Sequence, residues 1–289
     1  LVVAANRDEF HARPSLPLGH WEDAPWIVGG RDLQAGGTWM GVTSSGRFAA
    51  LTNIRAPGQV IGSRSRGELP EQYLRGNLPP ADYLAELTGR CADYAGFNLL
   101  VGDRQALWHL NSHSGEATAL QPGIYGLSNA GLDTPWPKLR KARAALATNL
   151  DPATPENLLA LLADPSPAAE HELPQTGVPL EWERRLSSVF IASPEYGTRA
   201  STALIRHADG ALDILERSFG PDGPVGEVRY RHPPTSGLAS GTTGRVVAKA
   251  SEASSGVVST SGTSRPSAVA ASSWPLPTEI SPARTISET

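Results

Sequence analysis

Apolar and polar positions along this chain sort first into strands. Leu1-Val2-Val3-Ala4-Ala5 is an apolar run that passes directly into Asn6-Arg7-Asp8-Glu9-Phe10, so a strand under way at the first residue delivers four consecutive polar side chains to its C-terminal end. Trp26-Ile27-Val28 precedes Gly29-Gly30. Residues 37–42 and 47–52 flank Thr43-Ser44-Ser45-Gly46, which predicts a hairpin with glycine where φ > 0 is wanted. Helical periodicity follows over 68–76 and 80–92. Residues 97–101 and 106–110 flank Gly102-Asp103-Arg104-Gln105 as a second hairpin, and residues 123–128 form a further strand. Thr134-Pro135 predicts an N-cap with proline at the first helical position, opening a helix to Thr148. Leu139, Ala142 and Leu146 share its apolar stripe, which turns Lys138, Arg140, Lys141 and Arg143 mostly toward water. One more helix is expected over 155–163, then strands at 188–192, 200–207, 211–218 and 225–231. Hairpins on both sides of a helical middle predict an α+β layered fold of antiparallel sheets with helices packed outside.

Composition narrows the class. Hydrophobic content of 39% and charge of 19% over 289 residues suit a soluble globular protein, and a net charge of −4 argues against nucleic-acid binding. No run approaches the roughly 18 apolar residues of a membrane span. The single Cys91 excludes an internal disulfide and a cysteine metal cluster, and points to a reducing, cytoplasmic setting. No metal site is expected. The average hides two materials. Residues 233–289 are rich in Ser, Thr, Ala and Gly and are expected to be a disordered tail, which leaves 1–232 as the globular domain.

Several motifs have plain readings. Residues 41–47 superficially resemble a phosphate-binding loop, but lack its Lys-Ser/Thr ending and join strand to strand. Gly126-Leu127-Ser128-Asn129-Ala130 sits between strand and helix like a serine nucleophile elbow, with Ala130 in place of the last glycine and a longer connection than a sharp elbow allows. His109 and His113 have the i, i+4 spacing of zinc ligands only if helical; on a strand end and turn they read as surface histidines. His20 beside Trp21 reads as a packed loop pair before a haem ligand. Cys91 reads as an idle thiol. Gly36-Gly37-Thr38-Trp39 reads equally as a tight bend or as close backbone approach to a ligand walled by the tryptophan. The polar groups at strand ends are harder to dismiss: residues 6–9, Thr52-Asn53, Ser128-Asn129 and Thr198-Arg199 carry the amides and guanidiniums one would gather to stabilise an oxyanion and hold a carboxylate.

Residues 4–10 with Arg13-Pro14, 36–41, 50–53, 66–69, 96–99, 125–130 with 134–138, and Tyr196-Gly197-Thr198-Arg199 together resemble the NRDE family, the family of transport and Golgi organisation protein 2. The match runs in order over residues 1–231. It implies an N-terminal nucleophile hydrolase-like fold, a four-layer αββα sandwich of two antiparallel sheets between helices. In that superfamily an N-terminal Cys is nucleophile and its own α-amine the base. This chain begins inside the first strand without that Cys and is expected to be silent by that route. By resemblance, Asp8 would orient the nucleophile's amine, Asn53 and Asn129 would donate to the oxyanion, and Arg199 would polarise the site or bind a carboxylate. Asn6, Arg7, Glu9, Thr38, Trp39 and Ser128 are the expected ligand-binding residues. The resemblance implies binding or trafficking of a small metabolite, haem or a lipid-like acyl compound. The alternatives are an N-terminal cysteine amidohydrolase acting on C–N bonds and a non-catalytic scaffold.

Overall fold

The structure is a computed structural model that describes residues 1–58 and 62–234, and the backbone of 246–249. All of them fall in one compact unit. Strands β1 (Val2–Phe10), β2 (Ser15–Trp21), β3 (Ala24–Asp32), β4 (Met40–Thr43) and β5 (Phe48–Asn53) come first, followed by helices α1 (Glu68–Arg75) and α2 (Pro80–Thr88). Strands β6 (Phe97–Gly102), β7 (Leu107–Asn111), β8 (Glu116–Ala119) and β9 (Ile124–Leu127) lead into α3 (Pro137–Thr148), α4 (Pro155–Ala160) and α5 (Leu180–Arg185). Strands β10 (Tyr196–Arg206), β11 (Leu212–Gly220), β12 (Gly223–His232) and β13 (Val246–Lys249) complete the order.

Two sheets result. One is a seven-stranded antiparallel meander from β2 to β8; the other has the order β12-β11-β10-β1-β13-β9, antiparallel except that β13 runs parallel to both β1 and β9. β13 lies inside the stretch expected to be a disordered tail; residues 235–245 and 250–289 are outside the described residues.

The period-2 alternation of strand side chains builds the layers. On β1, Val3 and Ala5 enter the core between the sheets with Phe48, Ala50, Leu100 and Leu204. Ala4 points the other way, to a second core shared with Leu146, Leu158 and Leu162 of the α3–α4 region. In the meander sheet, Ala49, Leu51, Leu99 and Val101 face outward onto Leu69, Tyr73, Leu74, Leu84 and Leu87 of α1 and α2. Helices therefore cover both outer faces: an α+β sandwich, layered as the hairpin pattern implied and with the four layers that the family resemblance implied. Burial on both faces explains the unbroken apolar stretches Val2–Ala5 of β1, Phe48–Leu51 of β5 and Leu99–Val101 of β6.

Some local expectations give way. α3 begins at Pro137, not Pro135, because its first helical bonds return to Trp136, with Arg140 N donating to Trp136 O at 3.0 Å. Both prolines suit a first helical turn; the Asp133 side chain, which accepts from Gly126 N, holds the chain before Trp136 in a turn instead. Lys138 is buried, not turned to water. Its four-residue spacing from Ala142 puts it on the buried stripe. Residues 188–192 form no strand: their backbone is taken by single bonds from Phe190 N to Asp164 O and between Ile191 and Thr198. His109 is buried, its Nε2 3.1 Å from Asn98 Oδ1, and burial pulls its pKa down to about 4, so the ring is neutral. His113 is exposed.

Of the two readings of Gly36-Gly37, the tight bend holds: Gly37 has φ +77°, and a Cβ there would lie 2.2 Å from Gly67 O. Gly37→Ala combines strain with a backbone clash and should destabilise by more than about 1 kcal/mol. A urea midpoint that falls with the slope unchanged would show it.

Candidate functional site

β1 does not stop where its polar residues begin. It runs through them to Phe10 with Asn6, Arg7, Asp8 and Glu9 all buried. Four such side chains inside a sandwich must each find partners, and they diverge because the strand alternates. Asn6 is tied into the fold: its Nδ2 donates to Leu162 O and Val189 O, and its Oδ1 accepts from Ser201. Arg7 points between the sheets and stacks 4.2 Å over the Trp39 ring. Glu9 accepts from Phe10 N and faces Arg13.

Asp8 is different. Between Arg7 and Asp8 the register with β10 shifts, so that Arg7 lies opposite Ala200 and Asp8 opposite Thr198, with Arg199 taken up in the bulge. Bulges re-aim side chains. Thr198 Oγ1 donates to Asp8 Oδ1 at 2.6 Å, and Arg199 turns to the carbonyls of Phe10 and Arg13.

Three other segments converge on Asp8. After β5, Asn53 and Arg55 lie beside Asn129: Arg55 N donates to Asn129 O at 2.7 Å and Asn129 Nδ2 to Asn53 O at 2.9 Å. From α3, Lys138 Nζ reaches Asn129 Oδ1 at 3.5 Å. From α5, Glu183 Oε2 accepts from Arg55 Nη1 at 3.2 Å, while its Oε1 accepts from both Thr176 N and Thr176 Oγ1. Trp136 lies against the Arg55 guanidinium, 4.9 Å from ring centroid to Cζ. Tyr196 is fully buried within electrostatic reach of Asp8 and Arg55.

The electrostatics are those of a dry ionic site. Burial lowers the Arg55 pKa, opposed by Glu183, Tyr196 and Asp8. Burial also pulls Lys138 down, helped by the positive charge of Arg55 and resisted by Asp8 and Glu183, to about 7. Tyr196 is pushed well above its ordinary value, chiefly by burial, and stays a neutral phenol. Arg55 Nη1 is satisfied by Glu183, but Nε and Nη2 have no partner, and neither does the Tyr196 hydroxyl. Nε and Nη2 form one edge of the guanidinium, the fork that accepts a carboxylate side-on.

By resemblance Asp8, Asn53, Asn129 and Arg199 were expected at one site; the structure sets Asn53 against Asn129 and brings Lys138, which bonds Asn129, within electrostatic reach of Asp8. Arg199 Nη1 donates to the carbonyls of Phe10 and Arg13, while its buried Nε has no hydrogen-bond partner. Thr38 bonds to the backbone of Met40, Trp39 sits in the inter-sheet core beneath Arg7, and Ser128 presents its carbonyl to Thr52 and its hydroxyl to Ala130 N. Arg55, Lys138, Glu183, Tyr196 and Trp136 were missed as site residues; only Lys138 left a signal, its place on the α3 stripe. The Leu1 amine donates to Arg206 O at the other end of β1, roughly 23 Å from Asp8 at the usual rise per strand residue. Cys91 is half-buried at the end of α2, its pKa raised by burial. His20 lies on β2, its Nδ1 at Pro25 O and its ring against Tyr230. No group of three or more metal-ligating side chains occurs among the described residues, and no helix there is long and apolar enough to cross a membrane.

An α+β sandwich with a buried ionic cluster at the end of a central strand is the class of protein that fold and site define. Compared with known families, the chain matches Transport and Golgi organisation 2 over residues 1–221. It is 34% identical over 240 residues to the Bos taurus Transport and Golgi organization protein 2 homolog, covering 76% of this chain and 86% of that protein. It is 34% identical over 238 residues to the Homo sapiens homolog, with the same coverage, and 26% identical over 257 residues to the Drosophila melanogaster Transport and Golgi organization protein 2, covering 80% and 90%. The chain belongs to the Transport and Golgi organisation 2 family.

An amine with depressed proton affinity gives a signed prediction. Between about pH 7 and the ordinary lysine value near 10.4, the unfolded chain binds a proton at Lys138 that the folded chain does not, so this residue's contribution to stability rises with pH there. Lys138→Met removes it. The variant should melt highest relative to wild type below pH 7, and the difference should fall as pH climbs toward 10. A difference that ignores pH would show that Lys138 is charged throughout.

Proposed function

We propose that the cluster binds a small metabolite bearing a carboxylate, an acyl compound of lipid-like character, whose anionic end seats on the Nε–Nη2 edge of Arg55. The single observation that carries this reading is that unpartnered edge. A buried polar group without a hydrogen bond costs about 1–3 kcal/mol, and more when charged. Two such N–H groups on one guanidinium, beside an unpartnered phenol, are a penalty that a carboxylate would offset in bidentate geometry.

Haem also carries carboxylates. However, the cluster supplies no histidine, and His20, the histidine considered for haem, sits on the other sheet with Nδ1 already engaged at Pro25 O. The acyl reading is therefore favoured over haem, with carriage rather than turnover as the role in trafficking. The convergence of Asp8, Asn53 and Asn129 favours a second reading, an amidohydrolase acting on C–N bonds. It ranks lower because Asn129 Nδ2 already donates to the Asn53 carbonyl.

Octanoate is the simplest probe. Calorimetry should show it binding the full chain. Arg55→Lys keeps the charge for Glu183 but removes the fork, and should weaken binding about tenfold to a hundredfold, the worth of one charge-assisted hydrogen bond at 1.5–3 kcal/mol. Equal affinity in the folded variant, or no binding to wild type, would overturn the reading. A Soret shift with hemin stronger than the octanoate response would return haem to first place.

A further inference from the structure

One group in the cluster is not used by anion binding. Lys138 belongs both to the ionic site, through Asn129 and its electrostatic coupling to Arg55, and to the wall of a cleft of about 440 Å³ between α3 and the 166–172 segment. That volume lies in the range of small-molecule sites. Lysines are almost never fully buried unless they are paired, and Lys138 is buried with its Nζ at Asn129 Oδ1. The carboxylates facing it are Asp8 and Glu183, and the cation facing it is Arg55, each from a different element. Lys141 and Arg140 line the same cleft from α3 itself, with Glu172 across from them.

Resting on the carboxylate-binding reading above, we propose that Lys138 is a carbonyl-reactive amine that forms an imine with a small oxo acid, an aldehyde or ketone whose carboxylate is held by Arg55. Desolvation and a neighbouring cation are the two devices that leave a lysine amine uncharged and nucleophilic at neutral pH, and Lys138 has both. Buried lysines of this kind are the ones that form Schiff bases.

The step balances without any further reagent. The neutral Nζ adds its lone pair to the carbonyl carbon, the C–O π pair moves to oxygen, and one Nζ proton transfers to that oxygen to give a carbinolamine. The hydroxyl then leaves as water with a proton drawn from solvent, and the nitrogen keeps its second proton as the iminium. Loss of that proton gives the imine and hydrolysis reverses the sequence, so the ligand would be held and released rather than consumed.

The test is direct because the chain has three lysines, Lys138, Lys141 and Lys249. The full chain is incubated with 2-oxooctanoate and sodium cyanoborohydride, which reduces an iminium to a stable secondary amine, and adducts are placed by intact mass and peptide mapping. The proposal expects one equivalent of adduct, on Lys138, suppressed by excess octanoate and lost in Lys138→Met. Its yield should climb as pH rises through about 7. No adduct, or equal labelling of Lys138 and Lys141, overturns it, and because the label is read on wild-type protein the result does not depend on the variant folding. Octanoate calorimetry on the same sample separates the two readings. Octanoate binding without an adduct removes the imine and leaves the anion site standing; an adduct at Lys138 without octanoate binding keeps the reactive amine and removes Arg55 as the carboxylate holder.

Discussion

The structure turns on β1 being buried on both faces from Val3 to Glu9. A strand in that position carries apolar side chains into two cores at once, and Val3 and Ala5 on one side and Ala4 on the other do so. When the same strand continues through Asn, Arg, Asp and Glu, desolvating each of them costs several kcal/mol unless it is met by a partner. The surrounding elements are placed where those partners are needed. Ser201 and the 162 and 189 carbonyls meet Asn6, Trp39 meets Arg7, Arg13 meets Glu9, and the β10 bulge delivers Thr198 to Asp8.

The cluster around Asp8 departs from that economy. Arg55 and Glu183 form a buried ion pair, and such pairs are weak evidence for stability, because the loss of hydration roughly cancels the attraction. Lys138 adds a second cation that burial and Arg55 both disfavour. A hydrophobic cluster of equal volume would serve the fold better. An arrangement that costs stability and leaves one edge of a guanidinium unpaired is the observation on which the proposed carboxylate site rests. The contrast with Glu216 is useful. It is equally buried on the neighbouring β11, but both its oxygens are matched, by Leu18 N and Thr202 Oγ1, and nothing about it points to a ligand.

Membership in the Transport and Golgi organisation 2 family was legible from ordered multi-residue blocks, and the layered fold from hairpins on either side of a helical middle. The site was legible in part. Strand-end position marked residues 6–9, Thr52-Asn53, Ser128-Asn129 and Thr198-Arg199 alike, and the family resemblance singled out Asp8, Asn53, Asn129 and Arg199 from among them. The direction of Arg199 was not legible beforehand, since a one-residue bulge decides which way it turns. Lys138 looked solvent-facing because charge outweighed position in the reading of α3, although its spacing from Ala142 and Leu146 marked the buried stripe. His109 looked exposed because it sits close to a turn, yet β7 is covered there and its ring is held neutral.

Alternation, turn glycines and apolar runs are local properties, and they determined the elements, the sandwich and the presence of charges at the end of the first strand. Which charges meet is not local. Arg55 and Glu183 are 128 residues apart, Asp8 and Thr198 are 190 apart, and Lys138 enters from a third segment. Only the closed sandwich brings them together and removes water from around them. The lowered proton affinity of Lys138 and the unmatched edge of Arg55 arise from that exclusion of water, so they belong to the tertiary structure and not to any stretch of sequence.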